Sequence, residues 1–345
     1  MYRFIIRPVL FLFSPESIHH FLVRFIWIVF RIPGVAFIVR KFYEVNDPAL
    51  ERKVFGLTFR NPVGFAAGFD KNAEVFEEFS SFGFSFIEIG TVTPDAQPGN
   101  PRPRVFRVVP DKAVINRMGI NNYGVKAAVA RLKNRKHKVI VGGNIGRNTV
   151  TPNAKAPADY EYCFRELYDH VDYIAINVSC PNVESLTELQ EKDMLREILE
   201  RLVRAREEQK VKKPVLLKIS PDLNNQQLDE TIDIAMQMNI DGIIATNTTR
   251  SRSGLSAGQE EINRIGNGGL SGKPLNARST EMIAYIVRKT GNKMPVIGVG
   301  GIMSPRDALD KLKAGASLVQ VYTGFIYEGP GFVKKINKAV LRELR

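Results

Sequence analysis

From Asn46 onward the chain alternates short, almost wholly apolar runs with longer stretches whose apolar residues recur at helical spacing. The short runs predict buried strands at residues 62–66, 85–89, 139–143, 173–177, 215–219, 242–246, 296–299 and 318–322. Between and after them the pattern predicts helices at 73–82, 125–134, 157–170, 186–209, 225–238, 277–290, 305–314 and 331–344. Eight strand–helix units in a row predict an α/β fold of the (β/α)8 TIM-barrel type, whose chemistry sits at the C-terminal ends of the strands. A doubly wound open sheet is the alternative arrangement of the same units.

Residues 1–45 follow a different pattern. Ser14, Pro15 and Glu16 form a helix start, with Ser as cap, Pro in the first turn and an acid near the positive end of the dipole. A mostly apolar stretch, 18–30, is interrupted by His19, His20 and Arg24, broken at Pro33-Gly34, and followed by a second apolar segment ending in Arg40-Lys41. No run approaches the roughly 20 apolar residues of a bilayer span. Nor is there a clear signal-peptide core and cleavage site. Two short apolar helices with basic flanks predict a helical hairpin lying in a membrane interface, with Trp27 and the arginines at headgroup depth. A dimerisation or core-capping hairpin is the competing reading. The expected division is therefore 1–45 as hairpin and 46–345 as catalytic barrel.

Charge sharpens this only slightly. The 345 residues carry a formal net charge of +13, which raises nucleic acid and anionic membrane as partners. Six basic residues against two acidic ones precede residue 45, interleaved with the apolar runs, and favour the membrane. The basic clusters at 131–138 and 201–213 fall in or beside predicted helices, where solvated outer faces account for them, so no nucleic-acid partner is expected. Cys163 and Cys180 are the only cysteines, too few for a disulfide framework or a metal cluster, and fit a reducing compartment.

The strand ends supply the candidate chemistry. They carry Ala67-Gly68-Phe69-Asp70-Lys71, Thr91, Asn144, the loop Asn177-Val178-Ser179-Cys180-Pro181-Asn182, Lys218, Thr246-Asn247-Thr248, Gly300-Gly301 and Tyr322-Thr323. Paired acids, metal-ligand spacings and a Ser-His-Asp set are missing from these positions, which weakens hydrolase and metal readings. Amide donors and acceptors suit the edge of a flat heteroaromatic ring. Gly301, Gly272 and Thr323 suit a phosphate above the last two strands. Lys218 is placed to balance negative charge on a flavin, to act as a Schiff-base nucleophile, or to serve as an ion-pair partner.

Across nearly its whole length the chain resembles the dihydroorotate dehydrogenases. The resemblance rests on Ala66 to Lys71, Glu88-Ile89-Gly90-Thr91-Val92-Thr93-Pro94, Asn116-Arg117-Met118-Gly119-Ile120-Asn121-Asn122, Asn177 to Asn182, Gly269 to Pro274, Gly298 to Gly301 and Gln320 to Gly324. The hairpin looks like that of the quinone-linked, membrane-associated class 2 enzymes, where it forms a tunnel to the flavin. The resemblance implies oxidation of dihydroorotate to orotate in pyrimidine biosynthesis, with one noncovalent FMN and a membrane quinone as electron acceptor. It implies a peripheral position on the cytoplasmic face of the cell membrane.

It further implies that Ala67, Gly68, Phe69, Asp70, Lys71, Thr91, Asn144, Asn177, Lys218, Thr246, Gly272, Gly301, Tyr322 and Thr323 surround FMN. Lys71, Asn116, Arg117, Met118, Gly119, Ile120, Asn177, Asn182, Asn247 and Thr248 are expected to hold the pyrimidine, and His19 and Arg107 to lie near the quinone. His19 also reads as a packed or membrane-surface histidine. Cys180 takes the place of the catalytic base, removing a proton from C5, directly or through a relay, as hydride leaves C6. Class 2 members usually carry Ser there, and Cys is the class 1 residue; the hairpin outweighs that one-atom difference. A class 1 enzyme with a soluble acceptor, a tRNA dihydrouridine synthase and a Lys218 Schiff-base lyase remain the alternatives.

Overall fold

The computed structural model describes residues 2–136, 139–178 and 192–345. Eight parallel strands close a barrel in chain order: β1 (Val63–Phe65), β2 (Phe86–Val92), β3 (Ile140–Ile145), β4 (Tyr173–Asn177), β5 (Val215–Ile219), β6 (Gly242–Ala245), β7 (Val296–Val299) and β8 (Leu318–Val321). Closure is made where Val319 of β8 pairs with Val63 of β1. The open-sheet alternative is thereby excluded.

Alternation along the strands builds two cores. Residues facing outward, such as Ile87, Ile174, Leu217 and Ile243, pack beneath the helices. Those facing inward fill the lower barrel with Phe86, Tyr173, Leu216, Ile244, Ile297 and Leu318. A two-stranded hairpin, Arg52–Val54 with Leu57–Phe59, closes the N-terminal end and brings Phe59 edge-on to Phe86 at 5.1 Å between ring centres.

Most helices lie where the spacing predicts them, with one informative exception. After β1 only Phe76–Ser80 is helical rather than 73–82, because Ala73 sits at φ +56°, a left-handed conformation that a helix start does not accommodate. The helix expected at 186–209 runs Lys192–Glu207 in the described residues, and 186–191 lie outside them.

At the C-terminal end, a three-stranded antiparallel sheet of Val105–Val108, Ala113–Asn116 and Gly269–Gly272 flanks the barrel mouth. Against it rest the N-terminal helices Arg7–Phe11 and Pro15–Val29, while Val35–Tyr43 packs beside Phe82, with Lys334 donating to the Phe42 carbonyl. Ser14 caps the second, its side chain accepting from Ser17 N at 3.2 Å. Glu16 is the bolt: Arg104 donates to it through Nε at 3.2 Å and Nη2 at 2.7 Å, and Arg102 lies 3.2 Å away. Tyr2 adds a bond to the Ile326 carbonyl at 2.7 Å, and Arg107 one to the Phe13 carbonyl at 2.7 Å.

Candidate active site

The barrel interior is layered. Above the apolar plug comes a polar layer, and above that a cleft of about 250 Å³ that continues between the flanking sheet and the helix Pro15–Val29. The polar layer centres on Glu88, buried on β2. Its carboxylate accepts from Asn144 Nδ2 at 2.8 Å, Lys218 Nζ at 3.1 Å, Gln320 Nε2 at 2.8 Å and Tyr173 Oη at 3.2 Å. Burial, together with the charge of Glu88, raises the Tyr173 hydroxyl well above its ordinary range, so it stays a donor.

An amide string leads upward from this layer. Thr91 Oγ1 donates to Asn144 Oδ1 at 2.5 Å and accepts from Asn177 Nδ2 at 3.0 Å; Asn247 Nδ2 donates to Asn177 Oδ1 at 3.1 Å. The bonded pairs are 53, 86 and 70 residues apart in the chain, and closure of the barrel brings them together.

Of the residues expected around a cofactor, Ala67, Gly68, Phe69, Lys71, Thr91, Asn177, Lys218, Thr246, Gly272, Gly301, Tyr322 and Thr323 all line the cleft. Asp70 does not. Its carboxylate caps the turn below, accepting from Glu74 N and Val75 N at 2.7 and 2.8 Å, and burial pushes it up to about 6. Asn144 sits beneath the lining, in the polar layer.

Of the residues expected at the pyrimidine, Lys71, Asn116, Met118, Ile120, Asn177, Asn247 and Thr248 line the same cleft. Lys71 donates to Asn121 Oδ1. Arg117 instead points away, donating to the Ile265 and Asn267 carbonyls and lying over the Phe106 ring at 4.5 Å; Gly119 turns against Asn100. Cys180 and Asn182 lie outside the described residues.

His19 and Arg107 line the outer part of the cleft. The His19 ring stands edge-on to Phe69 at 4.5 Å, and burial, with Lys71 and His20 nearby, lowers its pKa to about 3. It is therefore a neutral group at physiological pH. Arg107 lies over the Phe11 ring at 4.4 Å.

A flavin mononucleotide suits this donor set. Gly272 (φ +103°) and Gly301 (φ +70°) adopt left-handed backbone, and an added Cβ would meet the Lys112 carbonyl at 2.4 Å and the Asn276 nitrogen at 2.3 Å. Only glycine allows these close backbone approaches, and both glycines line the same cleft as Thr323, a set suited to a phosphate. Deeper in, Gln320 Oε1 is buried without a partner among the described residues, an acceptor that a ring N–H would satisfy. Gln320 and Ser271 also line the cleft and were given no role in the sequence, although a Gln inside the apolar run 318–322 is itself a signal of a buried polar site. Grouped metal-ligand side chains are absent among the described residues.

A sequence model of the dihydroorotate dehydrogenase family matches residues 49–344. A protein of Christiangramia forsetii named dihydroorotate dehydrogenase (quinone) is 53% identical over 343 residues, covering 99% of each chain. A relative of the same name from Gloeobacter violaceus is 48% identical, over 100% of this chain and 95% of its own. Among solved structures, DHODH of Eimeria tenella in complex with ferulenol superposes with a TM-score of 0.86 at 34% identity, covering 96% of this chain and 91% of that one. The cleft, the amide string and this full-length similarity agree: the chain belongs to the dihydroorotate dehydrogenase family, in its quinone-linked class 2 type.

Proposed function

We propose that the protein oxidises dihydroorotate to orotate and hands the electrons to a quinone, in pyrimidine biosynthesis. The observation that carries this reading is the single cleft joining three sets of groups: glycine turns suited to a phosphate, an amide and lysine cluster suited to a pyrimidine carboxylate, and an outer apolar mouth at the N-terminal helices. When bound, FMN supplies a two-electron acceptor for hydride from the substrate and a donor to the quinone.

The residues divide the work. Gly272, Gly301 and Thr323 hold the phosphate; Thr246, Tyr322 and the segment Ala67–Lys71 bound the cofactor's volume, Asp70 through the turn it caps. Lys218 brings a positive charge to the deep end, where it offsets negative charge on the ring system. Lys71, Asn116, Asn177, Asn182, Asn247 and Thr248 orient the pyrimidine and its carboxylate, while Arg117 and Gly119 shape the segment carrying Met118 and Ile120. Cys180 removes the C5 proton; a free thiol ionises near 8.5, roughly, which is closer to neutrality than an alcohol.

Residues 1–45 form the quinone entrance, with His19 and Arg107 at its inner end, and residues 46–345 the catalytic barrel. Phe4, Leu12, Phe21, Phe25, Ile32, Phe37 and Phe42 are exposed in this segment, Phe4 and Leu12 by 84% and 83%, and the Arg31 guanidinium lies over Trp27. Among the described residues no single helix is long and apolar enough to cross a membrane, although Tyr2–Phe11 and Pro15–Val29 form a bent apolar pair. Such a surface supports peripheral attachment to the cytoplasmic face of the cell membrane.

The test is anaerobic. Protein reconstituted with FMN should bleach on adding dihydroorotate and recover its yellow absorbance on adding a quinone. Failure of FMN to bind, or of dihydroorotate to bleach it, overturns the reading.

A further inference from the structure

A barrel interior layer is ordinarily filled by branched apolar residues. Here one layer is given to a carboxylate, and burying a carboxylate is strongly unfavourable unless it is paired and hydrogen-bonded. Glu88 is 1% exposed and receives donors from β3, β4, β5 and β8 at once. Lys218 is the one cation among those four donors.

An ionised carboxylate only accepts hydrogen bonds, and this fixes everything above it. Asn144 must turn Nδ2 toward Glu88, so its Oδ1 faces Thr91. Thr91 must then spend its proton on Asn144, leaving its lone pairs for Asn177 Nδ2. Asn177 is left presenting Oδ1, which Asn247 Nδ2 meets. Every bond in the string donates toward Glu88, and the orientation of four polar side chains follows from one charge.

We propose that Glu88 is a positioning residue for the reaction, acting on the cofactor by neutralising Lys218 and on the substrate by setting the donor direction of the Asn144–Thr91–Asn177–Asn247 string. The proposal rests on the FMN and dihydroorotate reading above. Lys218 alone would favour an anionic reduced cofactor; the Glu88 carboxylate 3.1 Å away opposes it and keeps the potential lower. Reversing the amide of Asn144 would present donor to donor at Thr91 and spread disorder to the two asparagines facing the pyrimidine.

The experiment compares Glu88→Gln, Lys218→Met and the double variant, each loaded with FMN. Glu88→Gln should raise the FMN two-electron potential by the equivalent of about tenfold in the reduction equilibrium, ~30 mV, and weaken orotate binding at least tenfold, read from the shift in flavin absorbance. In the Lys218→Met background the potential should cease to respond to Glu88→Gln, while the orotate effect persists. If Glu88→Gln does not take up FMN, Glu88→Asp decides: it keeps the charge and shortens the reach, so the potential should hold while orotate binding weakens. An unchanged potential and an orotate affinity within twofold of the parent in Glu88→Gln, or an unchanged orotate affinity in Glu88→Asp, overturns the proposal. A parent protein that binds neither FMN nor orotate overturns the functional reading instead.

Discussion

Arg104 holds Glu16 through two nitrogens, at 3.2 and 2.7 Å, with both side chains at least nine-tenths buried. One end of the pair lies on the N-terminal helix and the other beside the flanking sheet, so it joins the proposed quinone entrance to the barrel. Burial acts to raise the Glu16 pKa, but the Arg104 hydrogen bonds and charge, then Arg102 and His20, outweigh it and hold the group below its ordinary value of 4.5.

Glu16→Gln should therefore loosen the hairpin without unfolding the barrel. Breaking such a pair costs about 3–5 kcal/mol when the remaining charge stays buried, less where it regains water. Quinone-dependent turnover should fall at least tenfold while anaerobic bleaching by dihydroorotate stays within twofold. Because the folded pKa is depressed, the pair's stabilisation is present above 4.5 and is lost as pH falls through the folded value. Hydrogen exchange of the Pro15–Val29 amides should accordingly quicken only in acid for the parent, and already at pH 7 for Glu16→Gln.

His19 offers a second pH test. Its pKa is lowered to about 3, so between that value and 6.5 the unfolded chain binds a proton that the folded chain refuses. Stability from this residue is full above 6.5 and declines as pH falls toward 3. In a histidine NMR titration the His19 ring should show no inflection between pH 5 and 8. An inflection near 6.5 would place the ring in water, away from Phe69.

Gly301 tests the phosphate site. Gly301→Ala introduces a Cβ 2.3 Å from the Asn276 nitrogen at a φ of +70°, so the turn must move. FMN affinity should drop at least tenfold, whereas riboflavin, which lacks the phosphate, should bind the variant and the parent about equally. Equal losses for both ligands, by fluorescence quenching, would assign the glycine to the fold alone.

The barrel was legible because parallel strands buried on both faces read as apolar runs, and turn residues mark their ends. Tyr173–Asn177, Val215–Ile219 and Val296–Val299 match the sequence expectation residue for residue. The flanking sheet was not legible. Gly269–Gly272 pairs with Ala113–Asn116, more than 150 residues earlier, and nothing local in a four-residue strand announces such a partner. Glu88 was visible as an acid within an apolar run, but its four donors lie on four other strands, and only closure of the barrel shows them converging. The direction of the Arg117 side chain was not legible for the opposite reason: it sits inside a motif whose neighbours, Asn116 and Met118, do line the cleft, and just past the strand end its guanidinium is drawn to the Ile265 and Asn267 carbonyls.

Cys180 is assigned as the base from the sequence motif. Cys180→Ala should retain FMN and orotate binding and lose turnover by about 10²- to 10⁴-fold, the range for a positioned general base. Cys180→Ser should recover activity mainly at higher pH. Parental turnover by Cys180→Ala across pH 6 to 9 would remove the assignment.

The final prediction separates the two half-reactions physically. A chain beginning at Asn46 keeps all eight strands and their helices, so it should fold and bind FMN. It also exposes Arg104 and Arg107, whose partners Glu16 and the Phe11 and Phe13 carbonyls are gone, so some loss of thermal stability is expected. Anaerobic bleaching by dihydroorotate should persist, because Lys71, Asn116, Asn177 and Lys218 all lie beyond the cut. Reoxidation by a long-chain quinone should slow at least tenfold, since Pro15, Ile18, His19 and Leu22 no longer wall the outer cleft. Binding to anionic vesicles should fall with it, as both the exposed phenylalanines and the basic flanks are removed. A truncated protein with parental quinone kinetics and vesicle binding would show that the entrance and the membrane surface lie elsewhere on the barrel, and that the hairpin serves packing alone.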